Sequence, residues 1–223
     1  MRRDTFVENE YYHIFNRGVD KRDVFLGEKD FERFVLAMRL LNYKQDGLMI
    51  RWRDYNKTYP QNSLQDFLTL NVRKKEHLVE ILAYCLNTNH YHLLLKQTEE
   101  SSGIKIFMQR LGNSYTKYFN ERNERNGVLF QGRFKSARIK SISHLLRMSV
   151  YVNCNCEIHG LAKAENYRWC GFSEYLEKNN SGLCDKNIIS SHFSTNNNYK
   201  NYAVENILEF IRIKEDEKSF TLE

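Results

Sequence analysis

The runs "HLVEILAYCL" and "HYHLLLKQ", residues 77–86 and 90–97, are separated by Asn87, Thr88 and Asn89 alone. Two apolar stretches of strand length around a short Asn-rich segment predict a β-hairpin, and a hairpin commits the chain to an antiparallel sheet. The second strand opens on His90 and His92, where β-branched residues would serve packing better. Positions i and i+2 of a strand point to the same face, so the two imidazoles converge on one point. Spacing alone leaves two readings open: half-buried histidines hydrogen-bonded to neighbours, or two ligands of one metal ion.

The remaining segments flank this hairpin. In "EYYHIFNRGVD", Tyr12, Ile14 and Asn16 alternate with His13, Phe15 and Arg17, and Gly18 closes the run: a strand entering a turn. "EKDFERFVLAMRLLNYK" places Phe31, Phe34, Val35, Met38 and Leu41 at helical spacing. Residues 44–75 are polar, contain the sole proline, Pro60, and read as a long connection or insertion with a short helix over Leu64 to Leu70. After the hairpin, Ile104, Phe107, Met108, Leu111, Tyr115 and Tyr118 recur at three- and four-residue steps, a second amphipathic helix. "GVLFQGRFKSARIKSI" reads as a turn and a short basic strand, and "SISHLLRMSVYVNCNCEIHG" as a third helix from Ser143 as N-cap to Gly160 as its stop. The tail from 172 is polar and Asn-rich around one amphipathic stretch, "YAVENILEFIRIKE". Strands and helices alternate without an internal repeat, which predicts an α+β domain.

Composition bounds the class of partner. Hydrophobic residues at 41% with ten glycines and one proline describe a folded chain, not a disordered one. No apolar run approaches the ~18 residues a membrane span needs, and the charged start "MRRDTFVENE" lacks the apolar segment of a secretory signal, so a cytoplasmic protein without a membrane partner is expected. Five cysteines at irregular spacings fit a reducing compartment better than a disulfide framework. A net charge of +6 beside 14 Tyr and 14 Phe fits nucleic acid, because phosphates attract cations and bases stack on rings.

If the histidines hold a metal, a third protein ligand and open positions are needed. The third helix offers "YVNCN", in which Tyr151 and Asn155 stand four apart on one helical face. An amide oxygen of Asn155 completes such a site, and the phenol of Tyr151 then lies beside whatever the metal holds. Tyrosine, with a pKa near 10, is a poor nucleophile at neutral pH, but a metal-bound phosphate is a better electrophile. Attack by Tyr151 would leave a covalent phosphotyrosine that keeps the bond energy for rejoining. Tyr115 and Tyr118 compete for this role, yet four residues beyond them stand Phe119 and Arg122, neither an amide. A zinc site from Cys154, Cys156 and His159 is disfavoured, since helical positions i and i+2 diverge by about 200°; these thiols read as buried or idle.

The segments "YYHIFNRGVDKRDVF", "AYCLNTNHYHLLLK", "SYTKYFNERNERNGVLFQGRFKS" and "YVNCNCEIHGLAKAENYRWCGFSEY" together resemble the HUH single-tyrosine transposases, in the branch of REP-associated tyrosine, or insertion-sequence-200-like, transposases. The likeness covers about residues 9 to 180. It implies a ferredoxin-like antiparallel sheet with helices packed on one face, and a catalytic domain over 1–180 that holds the 44–75 insertion, followed by a helical extension over 181–223. It implies that His90, His92 and Asn155 bind Mg²⁺ or Mn²⁺ and that Tyr151 cleaves single-stranded DNA through a 5′-phosphotyrosine, leaving a 3′-hydroxyl. The expected partners are single-stranded DNA carrying a hairpin and, because each chain has one nucleophile, a second copy in a homodimer; nucleoid association follows. Two departures stand out: Asn87 and Thr88 replace the family's Met-Pro, a change that falls in a turn, and Cys156 replaces the Pro after Asn155.

Arg17, Arg133, Phe134, Lys135 and Arg138 are the candidate DNA contacts, with Arg133 and Lys135 assigned to one strand face. Two rivals accompany the strand-transferase reading. One is a metal phosphodiesterase that activates water; the other is a domesticated DNA-binding protein that has lost cleavage.

Overall fold

The computed structural model describes residues 5–74, 76–98, 102–178 and 182–220. β1 (Tyr11–Arg17) leads to α1 (Glu28–Leu41), α2 (Leu48–Thr58) and α3 (Leu64–Asn71), then to the hairpin β2 (Val79–Asn87) and β3 (His90–Gln97). α4 (Gly103–Arg122) and β4 (Lys135–Arg138) complete a βαββαβ unit. The four strands form one antiparallel sheet in the order β2-β3-β1-β4. This is the ferredoxin-like α+β arrangement expected from the sequence. The turn after β1 needs glycine: a Cβ on Gly18 would stand 2.2 Å from the Arg22 carbonyl oxygen.

Strand alternation divides the molecule. Tyr12, Ile14, Tyr91, Leu93 and Leu95 face α1 and α4, where Phe31, Phe34, Phe107 and Tyr115 complete a core. His13, Phe15, His90, His92 and Leu94 lie on the other face. The β1–β3–β2 part of that face is covered by α5 (Ile142–Asn153), which follows β4, and by the elements after it. Helices therefore pack on one face as expected, and the opposite face is covered as well. A bulge decides what β2 contributes there. Ile81 pairs with Leu95 but Ala83 with Leu94, so Leu82 is an extra residue and the alternation changes phase. Beyond it, Tyr84 and Leu86 turn toward α1 and α4, while Cys85 joins the α5 side and Asn87 stands opposite His90.

Three expectations need correction. Residues 44–75 hold two helices, not one: α3 starts on a capping box between Ser63 and Asp66, and α2 packs Trp52 and Tyr55 against Phe67 at 5.3 and 5.4 Å between ring centroids. In α2 Leu48 is the residue fully buried, so its apolar stripe is thin and the polar face hides the period. The third helix is capped by Ser141, whose Oγ accepts from the His144 amide at 3.2 Å; Ser143 already lies inside it and bonds Ser141 through its hydroxyl. Ser141 is itself extended, with φ −155° and ψ 164°, which places the cap two residues earlier than predicted. That helix also breaks at Cys154, and a separate turn, α6 (Asn155–Ile158), carries Asn155 before Gly160 ends it at φ 71°.

Two short turns, α7 (Phe172–Tyr175) and α8 (Asn187–Ser190), precede the long α9 (Asn196–Phe220). Tyr199, Ala203 and Ile207 of α9 share a buried cluster with Val150 and Val152 of α5, so the tail packs onto the helix that carries Tyr151. Among the described residues no helix is long and apolar enough to cross a membrane.

Candidate active site

The register of β3 builds the site. His90 lies opposite Asn87 on β2 and Arg17 on β1, and His92 opposite Cys85 and Phe15. Their rings stand 5.2 Å apart on one face, as i and i+2 spacing requires. His92 is 7% exposed, and its Nδ1 lies 2.7 Å from Nε2 of His13 on β1. Burial, reinforced by neighbouring His13, His90 and His159, holds His92 well below the ordinary histidine range. Burial and the nearby His144 lower His13 to about 4. Both rings are thus neutral at pH 7, and one nitrogen of the pair must carry the shared proton. When His92 donates from Nδ1 to His13, its Nε2 keeps a lone pair.

His90 is held from the other side. Its Nδ1 is 2.6 Å from Asn89 Oδ1, an acceptor, which places the proton on Nδ1 and the lone pair on Nε2. That lone pair stands 3.2 Å from Oδ1 of Asn155 on α6. Asn155 is fully buried, and its Nδ2 has no hydrogen-bond partner. The Asn87 Nδ2 donor, 2.6 Å from Asn155 Oδ1, orients this amide with its oxygen toward the His90 lone pair and leaves its buried nitrogen without a partner. That oxygen can serve as a ligand. Two imidazole nitrogens and an amide oxygen form a mixed donor set, in which the oxygen suits a Mg²⁺- or Mn²⁺-sized ion and the imidazoles suit softer first-row divalent ions. Among the described residues no group of three or more His, Cys, Asp or Glu side chains is placed to hold a metal.

Tyr151, in the last turn of α5, comes to the same place. Its ring stands edge-on to both His13 and His92, with centroids 5.7 Å from each, and Phe210 of α9 packs on it at 5.1 Å. A cleft of about 300 Å³ is lined by Tyr151, His90, His92, His159, Arg17, Phe15 and Lys135, among others. The competing tyrosines lie across the sheet. Tyr115 is fully buried and donates to the Val24 carbonyl at 2.6 Å; Tyr118 donates to the Asp30 carboxylate at 2.9 Å. Burial raises both phenols above the ordinary range, and the Asp30 charge adds to this. Neither reaches the histidines.

The DNA candidates divide. Arg17 and Lys135 are exposed and line the cleft, and the Lys135 ammonium stands 6.0 Å from the Phe15 ring centroid. Arg138 pairs with Glu10 at 2.8 Å and aligns with Tyr12, on the opposite sheet face. Phe134 stacks on Phe6 at 6.3 Å beside the α1 and α4 core. Arg133 is exposed but precedes β4 in a bend, so strand alternation does not pair it with Lys135. Cys154 and Cys156 are buried, as read from the sequence, while His159 turns its ring to His90 at 5.1 Å.

Sequence reasoning missed two neighbours of the histidines. His13 already alternated onto the same side as Arg17, and that shared face was its signal. Asn87 was read as a turn residue; it ends β2, is 3% exposed, and donates from Nδ2 to Asn155 Oδ1 at 2.6 Å and to His90 Nε2 at 2.8 Å. The bulge at Leu82 concealed its direction, because unbroken alternation from Val79 would send it to the other face.

Comparison with known proteins bears on the family resemblance and the fold. Residues 54–155 match the family described as IS200-like transposase, a span that includes His90, His92, Tyr151 and Asn155. A solved structure of a REP-associated tyrosine transposase bound to a REP hairpin is similar in fold, with a TM-score of 0.51 and 13% identity over 83% of this chain and 88% of that one. No curated protein matches the sequence. The resemblance to the IS200-like transposases stands.

Proposed function

We propose that the chain cleaves and rejoins single-stranded DNA, with Tyr151 as nucleophile and His90, His92 and Asn155 as ligands of Mg²⁺ or Mn²⁺. The observation that carries the reading is convergence: Tyr151 stands 5.7 Å from the His92 ring, and Asn155 Oδ1 stands 3.2 Å from His90 Nε2, although the two pairs are far apart in the chain. When bound, the cation would polarise a phosphoryl oxygen and offset negative charge developing in the transition state. Tyr151 Oη attacks phosphorus as the bond to the 3′ oxygen breaks, and the phenol proton passes by way of solvent to that departing oxygen, giving a 5′-phosphotyrosine and a 3′-hydroxyl. Attack by a 3′-hydroxyl reverses the step and releases the tyrosine, so no external energy source is needed.

Arg17 and Lys135, both lining the cleft, would hold the phosphates in register with Tyr151. A hairpin-bearing strand is the substrate we assign, in line with the hairpin bound by the similar transposase. Two copies would supply the two nucleophiles that joining a pair of ends demands. We assign the catalytic unit to residues 1–180 and treat 181–223 as an extension that supports Tyr151 through Phe210.

Incubation with Mn²⁺ and labelled single-stranded DNA tests this. The expected result is a protein–DNA adduct resistant to denaturation, absent from Tyr151→Phe and retained by Tyr115→Phe. An adduct formed equally by Tyr151→Phe overturns the assignment, and hydrolysed DNA without any adduct points to water as nucleophile.

A further inference from the structure

We propose that Asn87 is a further ligand of the cation site, through the oxygen of its side-chain amide once that amide turns its oxygen inward. The inference rests on the reading of His90 and Asn155 as ligands. Three atoms form a triangle: Asn87 Nδ2 to Asn155 Oδ1 2.6 Å, Asn87 Nδ2 to His90 Nε2 2.8 Å, and His90 Nε2 to Asn155 Oδ1 3.2 Å. An octahedral ion with bonds of about 2.1 Å sets neighbouring ligand atoms about 3.0 Å apart. The triangle thus has nearly the dimensions of one face of that octahedron.

An amide nitrogen has no lone pair to offer a cation, but rotation about the terminal bond exchanges it with an oxygen of almost the same size. With nitrogen inward, Asn87 donates to both neighbours and holds two lone-pair atoms together. With oxygen inward, three lone-pair atoms converge, an arrangement that a cation at their centre stabilises. The exchange gives up little on the outer side, where Asn87 Oδ1 accepts a thiol hydrogen bond from Cys85 at 3.6 Å. Backbone pairing with His90 keeps the side chain from withdrawing. Four protein ligands of six would leave two positions for a phosphate oxygen and water.

The test is Mn²⁺ binding to the full chain without DNA, read from the electron paramagnetic resonance of free Mn²⁺. Asn87→Met should weaken binding about 10-fold or more, as loss of His90 or Asn155 should, while Asn87→Asp should bind more tightly than the wild type. Thermal melts without metal establish that each variant is folded. Equal or tighter binding by Asn87→Met, with His90→Ala and Asn155→Ala both weakened, overturns the proposal and leaves the site intact: Asn87 would then be a mere occupant. If His90→Ala and Asn155→Ala also bind as the wild type does, the site itself falls and the inference with it. Should Asn87→Met fail to fold, Asn87→Asp decides, and binding no tighter than the wild type overturns the proposal.

Discussion

The two faces of the sheet carry the same kind of residue to opposite ends. Each bears a helix that follows the hairpin, and each helix offers a tyrosine. On the α4 face, Tyr115 packs among Phe25, Phe34 and Phe130 and spends its hydroxyl on the Val24 carbonyl. On the α5 face, Tyr151 rests against His13 and His92 at the wall of a cleft. The first face buries mostly aromatic and aliphatic side chains, and its polar atoms are spent on hydrogen bonds within the core. The second gathers imidazoles and amides whose polar atoms point at one another. Residue type therefore does not separate the two tyrosines; the face each occupies does, and the proposed function needs the face lined with lone pairs, where a cation and a phosphate could be held.

The contrast can be broken in three ways. The largest effect should come from Phe34→Ala on the α4 face, which removes a fully buried ring and should cost about 3–5 kcal/mol in denaturant melts. Mn²⁺ affinity of the folded variant should stay near the wild type, and a parallel collapse of that affinity would mean the faces are not separable. Next comes pH. His13 has a pKa of about 4 in the folded chain against an ordinary 6.5, so between those values the unfolded chain binds the extra proton. Stability of the metal-free protein should be undiminished by this group above pH 6.5 and fall as pH drops toward 4, by about 3 kcal/mol across the window. Urea melts of His13→Phe should show a shallower slope, and an unchanged slope would mean that the α5 face is not where the protons are taken up. The smallest effect concerns DNA. Lys135→Ala should weaken single-strand binding a few-fold and lower the salt slope by about 0.7, whereas Arg138→Ala, paired with Glu10 on the far face, should change neither. Equal losses would show that both faces meet the nucleic acid.

Much of this was legible before any coordinates. The hairpin, α1, α4 and the pairing of His90 with His92 follow from periods of two and 3.6 that the sequence displays openly. Tyr151 and Asn155 were found by four-residue spacing, and they do meet the histidines, although a break at Cys154 separates the two helices that carry them. α2 was not legible because its apolar stripe rests on few residues. Arg133 was misassigned to the strand face of Lys135, because β4 begins only at Lys135; Arg138 does lie in β4, where alternation turns it to the face opposite Lys135, and Phe134 packs its ring against Phe6.

By itself the sequence determined most of the elements, their order and the residue types that could bind a cation and attack phosphorus, since these depend on local periodicity and side-chain chemistry. The tertiary structure decided which of those residues share a surface. One extra residue at Leu82 turned Asn87 toward His90, and antiparallel pairing brought His13 behind His92. Neither could be read locally, because a strand's facing is set by its partners: a shift of one residue in the pairing reverses every side chain beyond it.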